Sequence, residues 1–283
     1  MIVTEKVTFY IPTFNAQTTI ELCINSVRNQ TYPVDEIIII NDNSTDNTKE
    51  ILSKYNDLII INNNQNLGLG YNRNLGIQNS SNEIIASIDS DVELDKKWLE
   101  NIIINLKKNK IVMCGGNMLE KYTNNKVNAW REKYYNQSWG KKDILNPAFL
   151  YGCNTILLKS YWEKTEGYDE NLKTNGEDID FCKQLKSIGD INLYYSSDSL
   201  CYHLQDDSIL SLSKRVWRYH SFGYKIKAPS KRKLVNLSIK QIRFFLIRFL
   251  KGLLKFEIKY IIISFMVLIN FIKLEYNYLK KNK

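Results

Sequence analysis

The sequence predicts an α/β protein with a mainly parallel sheet and flanking helices, followed by a basic helical tail. Three observations support this prediction: strand-like and helix-like segments alternate through the first half of the chain, several strand-like segments are continuous apolar runs, and the sign of the charge changes near residue 213. A run of β-branched residues such as Ile37–Ile40 is typical of a strand covered on both faces. With 283 residues, 44% of them apolar, the chain can bury a large core.

Each element follows from a local pattern. Short apolar runs predict the first five strands, which are Val7–Ile11, Ile37–Ile40, Leu58–Ile61, Glu83–Ile88 and Ile111–Cys114. Apolar residues at helical spacing predict the helices between them, which are Ile20–Val27, a helix ending at Leu52, Gly68–Ile77 and Trp98–Leu106. After a looser stretch from 115 to 150, the pattern predicts a strand to Leu158, a helix from near Glu177, strands at Ile191–Tyr195 and Ser199–His203, and a helical tail from Leu210 that breaks near Ala228–Ser230. In such folds ligands bind at the carboxyl ends of the strands.

The net charge of +9 is the sum of two unlike parts. Residues 214–283 contain 18 Lys or Arg residues against two Glu residues, a net charge of +16, and residues 1–213 carry −7. This contrast predicts two domains with different tasks, 1–213 and 214–283. The high aromatic content argues against disorder. The five cysteines are odd in number and lack metal-type spacing, and no signal-peptide pattern precedes the first strand, so we expect a reducing cytoplasm.

Two carboxylates stand where the fourth predicted strand ends, at Asp89 and Asp91. Charged groups leaving a buried strand are costly unless a positive group compensates them. Hard oxygen ligands suit Mg²⁺ or Mn²⁺, which also bind the phosphates of a nucleotide diphosphate. The alternative is a helix cap followed by a solvated acidic turn, since Glu93 and Asp95 continue the run. An Asp-x-Asp pair alone leaves both interpretations open.

Polar residues also follow other strands on the same edge. Asp42 could contact a base or ribose, or it could cap the next helix. Arg73 follows a glycine-rich turn and could pair with a phosphate. The turn itself, Gly68 and Gly70, does not match a dinucleotide fingerprint, because the next glycine comes at Gly76, which is too late.

Five motifs occur together in a recognisable order and spacing. They are Val7–Asn15 (Val-Thr-Phe-Tyr-Ile-Pro-Thr-Phe-Asn), Asp42–Asp46 (Asp-Asn-Ser-Thr-Asp), Asn66–Gly68 with Arg73 and Asn74, Asp89–Asp91, and Gly176–Asp178. Over residues 5–205 the chain resembles the inverting family-2 glycosyltransferases, which have the Rossmann-like GT-A fold. The resemblance does not include the basic tail.

The resemblance implies roles for single residues. Pro12, Phe14 and Asp42 would hold the nucleoside, Arg73 would lie near the nucleotide, and Asp89 would contact the ribose or the metal side. A Mn²⁺ or Mg²⁺ ion would be bound by Asp91, with Asp89 and His203 as further candidates. A lone histidine is more often a packed or surface residue, and Val92 stands where a third carboxylate is often found.

The pair Glu177 and Asp178 would carry the chemistry. Inverting transfer needs a base that takes the acceptor hydroxyl proton, and the metal neutralises the leaving diphosphate. The resemblance places this base at Asp178, with Glu177 the less favoured candidate. Without the other motifs, the pair would be interpreted as an acidic first helical turn, which the helix dipole favours.

The basic tail predicts attachment to a membrane. Six basic residues between Lys240 and Lys259 occupy one helical face about 160° wide, opposite a thick apolar face. Such helices bind anionic lipid surfaces in the plane of the membrane. The following apolar run, Tyr260–Ile272, is shorter than the ~20 residues of a spanning helix, although a short span is an alternative. A second alternative is a pair of helices that packs on the first domain or mediates oligomerisation. A nucleic-acid partner would explain the basic charge but not the apolar face.

Together these observations predict a metal-dependent inverting glycosyltransferase at the cytoplasmic face of a membrane, attached peripherally by its C-terminal helices. It would move a hexosyl or N-acetylhexosaminyl group from a nucleotide sugar to a lipid-linked or cell-surface glycan. We expect the nucleotide of the donor to be UDP. Two alternatives are a nucleotidyltransferase acting on sugar phosphates, for which Pro12–Asn15 provides no phosphate loop, and a non-catalytic membrane adaptor.

Overall fold

The computed structural model describes residues 5–108, 110–226, 231–254 and 258–281. Their contacts divide the chain into two units. The sheet unit comprises residues 1–121 and 137–205, and the helical unit comprises residues 122–136 and 206–283. The sequence-based division assigned residues 122–136 and 206–213 to the first domain, whereas in the structure they group with the C-terminal helices.

The sheet unit alternates strands and helices along the chain. In the described residues its strands are β1 (Val7–Thr13), β2 (Glu36–Asn41), β3 (Ile59–Asn62), β4 (Ile84–Ile88), β5 (Val92–Leu94), β6 (Ile111–Glu120), β7 (Ile144–Leu145), β8 (Asn154–Leu158) and β9 (Asn192–His203). Its helices are α1 (Ile20–Arg28), α2 (Thr48–Leu52), α3 (Leu69–Gln78), α4 (Trp98–Leu106), α6 (Lys159–Trp162) and α7 (Glu177–Ser187), and α5 (Lys126–Tyr135) belongs to the helical unit.

The strands form one mixed sheet in the order β3-β2-β1-β4-β8-β6-β9-β5, with β7 paired to β9. The strands β3, β2, β1 and β4 are parallel to one another, and β6 is parallel to β9. The strand β8 runs antiparallel between β4 and β6, and β5 and β7 are antiparallel to β9. The fold is thus the predicted α/β sheet with flanking helices, and its parallel part brings the carboxyl ends of β1, β2 and β4 to one edge.

Both faces of the sheet are buried. Along β1, Phe9 faces a core with α1 and α4, where its ring lies 6.0 Å from that of Trp98, and Tyr10 belongs to a second cluster on the other face. That second cluster includes Phe181 and Leu185 of α7. Since alternate side chains of a strand point to opposite faces, two covered faces explain the continuous apolar runs of the sequence.

The helical unit is built from α5 and three long helices, α8 (Ile209–Ile226), α9 (Lys231–Leu254) and α10 (Ile258–Lys281). Trp130 of α5 lies in its core, stacks on Tyr135 and donates a hydrogen bond from Nε1 to Ser264 Oγ at 2.8 Å. Within α10, Tyr260–Tyr278 is long and apolar enough to cross a membrane by length and composition, with 33% of that window buried in the protein. The predicted helix break near Ala228–Ser230 lies outside the described residues.

Candidate active site

One buried arginine, Arg73, forms ion pairs with the carboxyl end of β4 and with the beginning of α7. Arg73 of α3 is 1% exposed, and its Nη2 lies 3.0 Å from Asp89 Oδ1 at the end of β4. Its Nε lies 3.2 Å from Glu177 Oε1, on the first residue of α7. The structure therefore brings together three of the residues that the sequence singled out, from positions up to 104 apart.

The remaining donors of Arg73 bind the walls of the same site. Nη1 donates to Ser87 Oγ at 2.6 Å and to the carbonyl oxygen of Gly152 at 2.9 Å. A Cβ atom at Gly152 would come 3.0 Å from the guanidinium, so glycine suits the close approach of this loop. All of these bonds join Arg73 to groups of the protein itself, so the arginine acts as a buried counterion for two carboxylates. The phosphate contact expected from the sequence stays a prediction.

Asp178 and Glu177 have different environments although they are neighbours. Glu177 is buried, and burial together with the charge of Asp178 raises the pKa of Glu177 to about 7, against the opposing effect of Arg73. Its second oxygen, Oε2, is buried without a hydrogen-bond partner among the described residues. Asp178 is only half-buried, and burial raises its pKa too. Its Oδ2 accepts from the backbone N–H of Gly152 at 3.2 Å and its Oδ1 from that of Ile179 at 2.7 Å.

This arrangement suits proton transfer by Asp178. A carboxylate with a raised pKa is a stronger base than a free aspartate, and perturbed carboxyl groups cluster at catalytic sites. Asp178 is the more accessible member of the pair and is held by two backbone N–H groups. Glu177 faces inward to Arg73, so its contacts fit a role in fixing the site.

Asp42 stabilises a loop at the end of β2. It is 3% exposed, and its Oδ1 accepts from the N–H of Leu67 at 2.8 Å and from Asn63 Nδ2 at 2.8 Å. Its Oδ2 accepts from the N–H of Gly68 at 2.9 Å, where the backbone takes a φ of +91° that favours glycine. The carboxylate thus holds the turn before α3, a role that the motif alone did not reveal. The expected contact with a base stays a prediction.

Two further donor-site candidates lie at the end of β1. Pro12 is buried within the strand, and Phe14, just beyond it, is 48% exposed. An exposed aromatic ring at the carboxyl edge of a sheet offers a flat apolar face for a base or a sugar. The structure places both residues at the expected edge, and their contact with a nucleoside stays a prediction.

His203 lies between two carboxylates at the ends of three strands. Its Nε2 is 3.4 Å from Asp91 Oδ2, and its Nδ1 is 3.2 Å from Glu120 Oε2. The strand registers explain this, because Val92 of β5 and Glu120 of β6 are both paired with His203 of β9. Burial lowers the pKa of His203, but the hydrogen bonds and charges of Asp91 and Glu120 outweigh burial and raise it. No motif indicates Glu120, since the strand and helix pattern loosens from residue 115 onward.

The donor atoms near His203 fit a divalent cation in part. In the described part of the chain there is no group of three or more His, Cys, Asp or Glu side chains that could hold a metal ion. The candidates Asp91 and His203 lie together, whereas Asp89 is bound to Arg73. One carboxylate and one imidazole suit Mn²⁺, which accepts phosphate oxygens and water at its other positions.

Comparisons with known proteins agree with this fold. The family model of glycosyl transferase family 2 matches residues 8–165. The chain is 27% identical over 203 residues to the glycosyltransferase AglE of Haloferax volcanii, a match that covers 70% of this chain and 66% of that protein. It is 30% identical over 171 residues to a Campylobacter jejuni protein named GalNAc(5)-diNAcBac-PP-undecaprenol beta-1,3-glucosyltransferase, covering 58% of this chain and 55% of the relative.

A solved structure shows the same fold. The mannosyltransferase PcManGT of Pyrobaculum calidifontis, in complex with GDP-Man and Mn²⁺, aligns with a TM-score of 0.61 at 15% identity, over 81% of this chain and 66% of that one. The chain spans less than two thirds of the length of each of the first curated relatives that it matches. The match to the family model covers more than half of the chain and contains the strands β2 to β4 together with Arg73, Asp89 and Asp91. The chain therefore belongs to glycosyl transferase family 2.

Proposed function

We propose that this protein is a metal-dependent inverting glycosyltransferase that moves a sugar from a nucleotide-sugar donor to a lipid-linked or cell-surface glycan at a membrane. The observation that carries the proposal is the cluster in which Arg73 neutralises Asp89 and Glu177 beside the more accessible Asp178. An ion-paired cluster of this kind is expensive to bury, and carboxyl groups with perturbed pKa values concentrate at functional sites. It lies where open α/β sheets bind ligands.

Asp178 is the base of the proposed reaction. Its carboxylate takes the proton of the acceptor hydroxyl while that oxygen forms a bond to the anomeric carbon. The bond from the anomeric carbon to the diphosphate oxygen breaks on the opposite face, the electron pair leaves with the nucleoside diphosphate, and the configuration inverts. A bound divalent cation would supply positive charge to the diphosphate, so no protein acid is needed there. The backbone N–H groups of Gly152 and Ile179 orient Asp178 for this step.

Asp91 and His203 are the residues that would hold Mn²⁺ or Mg²⁺, with Asp89 beside them. Their support is the approach of His203 Nε2 to Asp91 Oδ2 and the affinity of this donor set for Mn²⁺. Pro12, Phe14 and Asp42 would surround the nucleoside, and Arg73 would act on the nucleotide through Asp89. We expect the donor to be a UDP-linked hexose or N-acetylhexosamine. The GDP-Man in the Pyrobaculum structure makes GDP sugars the first alternative to test.

The acceptor class is inferred from the helical unit and from one relative. In α10, one face packs into the core of that unit through Ile263, Val267 and Phe271, and the other face exposes apolar side chains. The exposed set, each member 41–55% accessible, is Ile262, Phe265, Met266, Ile269 and Ile272. Polar groups anchor the packed face, since Ser264 bonds Trp130. A helix held in this way fits in-plane binding at a membrane better than a span, because crossing would draw those polar contacts into lipid.

The exposed apolar face occurs in a strongly basic segment. Lys240 and Arg243 of α9 and Lys273 of α10 are exposed, and residues 214–283 carry a net charge of +16. This combination favours anionic lipid headgroups. The name of the Campylobacter relative specifies an undecaprenol-linked acceptor, so we extend a lipid-linked acceptor, the cytoplasmic face and a role in cell-envelope polysaccharide synthesis to this chain as part of the proposal.

A panel of nucleotide sugars tests the donor. The thermal shift of the purified full-length protein is measured with UDP- and GDP-linked sugars, with and without Mn²⁺. We expect one donor to stabilise the protein only when Mn²⁺ is present, as ligand binding to the native state requires. Proton NMR of the transfer product then determines whether the anomeric configuration is inverted. Retention of configuration, or no stabilisation by any donor with metal, would overturn the proposal.

Flotation with vesicles tests the membrane proposal separately. The full-length protein should float with vesicles that contain phosphatidylglycerol, and the triple variant Ile262→Gln, Phe265→Gln, Ile269→Gln should remain in solution. The matched control changes Ile104 and Leu145, which are exposed apolar residues of the sheet unit, to Gln. Equal flotation of the triple variant and the control would contradict an α10 contact with lipid.

A further inference from the structure

We infer that Glu120 is a positioning residue that sets the tautomer and orientation of His203 for metal binding. This inference rests on the proposed metal-dependent function. No sequence motif includes Glu120, which ends β6, and none of the roles derived above uses it. The carboxylate is 6% exposed and lies against the imidazole edge opposite the one that faces Asp91.

The geometry gives the two imidazole nitrogens different partners. Both oxygens of Glu120 approach Nδ1, Oε2 at 3.2 Å and Oε1 at 3.3 Å. A carboxylate accepts only, so Nδ1 carries a proton and donates it. The Nε2 nitrogen faces Asp91 Oδ2 at 3.4 Å, where without a metal it can carry a proton toward that carboxylate. A bound cation would replace this proton, while Glu120 keeps the other proton on Nδ1. With its proton displaced, Nε2 and the neighbouring Asp91 carboxylate can both coordinate a divalent cation.

The strands make this arrangement rigid. His203 is paired with Glu120 along the parallel β6–β9 ladder and with Val92 along the antiparallel β5–β9 ladder. Asp91 is adjacent to Val92, and its carbonyl oxygen accepts from the N–H of Leu204 at 2.8 Å. Metal-ligating histidines commonly donate their second N–H to a carboxylate that fixes the ring, and removal of that partner typically weakens metal affinity by about 10–100-fold.

A spectroscopic measurement tests the inference without activity. The chain has two histidines, so ¹⁵N-histidine labelling together with His220→Gln leaves His203 as the single labelled ring. At pH 8, with diamagnetic Mg²⁺ and UDP added, the nitrogen shifts should show a proton on Nδ1 and none on Nε2. Glu120→Leu should move the proton toward Nε2, the tautomer that neutral histidine favours in water. A proton on Nε2 in the parent protein would overturn the inference, and so would a doubly protonated ring under these conditions.

Metal affinity provides the second readout. Mn²⁺ binding in the presence of saturating UDP, measured by electron paramagnetic resonance of the free ion, should weaken about 10-fold or more in Glu120→Leu. Glu120→Gln should lose less, because the amide oxygen still accepts from Nδ1. The matched control is Glu93→Gln on the neighbouring strand, whose carboxylate pairs with Lys121 and should leave Mn²⁺ affinity unchanged.

The outcomes separate this inference from the proposed function. If Asp91→Ala loses Mn²⁺ affinity while both Glu120 variants stay within twofold of the parent protein, the metal site stands and the role of Glu120 is wrong. If neither the parent protein nor any variant binds Mn²⁺ with a nucleotide, the metal-dependent function itself fails. If Glu120→Leu does not fold, the tautomer of the parent protein and the affinity of Glu120→Gln decide.

Discussion

Replacement of Arg73 by methionine should destabilise the sheet unit strongly. The guanidinium is 1% exposed and is the positive partner of two carboxylates, Asp89 at 3.0 Å and Glu177 at 3.2 Å. Methionine fills similar volume but leaves both acids without that charge. Glu177, at 3% exposed, keeps nearly the full desolvation penalty, while Asp89, at 27%, recovers part of its hydration. Breaking a buried ion pair in this way costs about 3–5 kcal/mol.

This cost converts into a measurable shift of the melting temperature. For a unit of this size, 1 kcal/mol lowers the melting temperature by about 2–4 °C, so Arg73→Met should melt roughly 6–20 °C lower. The deficit should be smaller at pH 5.5 than at pH 8, because the stranded carboxyl groups of the folded variant take up protons at low pH. Differential scanning fluorimetry at both pH values measures it.

The control for this prediction is a second arginine with an exposed ion pair. Arg28 contacts Asp57, but their side chains are 35% and 67% exposed, so Arg28→Met should cost no more than about 1 kcal/mol and should show little pH dependence. If Arg73→Met melts within about 2 °C of the parent protein at both pH values, Arg73 is not the counterion that holds this site together.

Three further predictions concern the surroundings of the site. Gly70→Ala should destabilise the protein by about 1–3 kcal/mol in chemical denaturation, although alanine favours helices, because a Cβ atom would overlap the carbonyl oxygen of Asp169; a stabilising effect would contradict the packing. Asp42→Ala should cost about 2–4 kcal/mol and speed hydrogen exchange at the Gly68 amide, and unchanged exchange there would contradict the loop role. The pKa of Glu177 rises from 4.5 to about 7 on folding, so between these pH values the folded state binds more protons than the unfolded state. The free energy of unfolding of the parent protein should therefore fall more steeply with rising pH than that of Glu177→Gln. The same pH dependence in both proteins would contradict the raised pKa.

The elements of the fold were predictable where one local signal dominates. The helix Trp98–Leu106 has the bounds that its apolar spacing predicted, and α7 begins at Glu177 as expected. The strand β6 continues to Glu120, beyond the predicted Cys114, because Gly115 and Gly116 interrupt the apolar run without ending the ladder with β9. Similarly, the predicted strands at 191–195 and 199–203 form one strand, β9.

The candidate site was predictable as a set of residues but not as a set of contacts. The motif order indicated Arg73, Asp89 and Glu177, and the structure brings them into one ion-paired cluster. It could not indicate that Arg73 pairs with protein carboxylates, since a contact across 104 positions forms only when the whole sheet unit has folded. The partner Glu120 was missed for the same reason, because only the β6–β9 register brings it to His203.

The proposed mechanism depends above all on Asp178 acting as the base. Nucleoside diphosphate release from the donor selected by the panel is measured for the parent protein and for Asp178→Asn, with Mn²⁺ and with a chelator. We expect metal-dependent release by the parent protein and a loss of about 100-fold or more in Asp178→Asn, with Mn²⁺-dependent donor binding retained. Release by Asp178→Asn at the rate of the parent protein would contradict it.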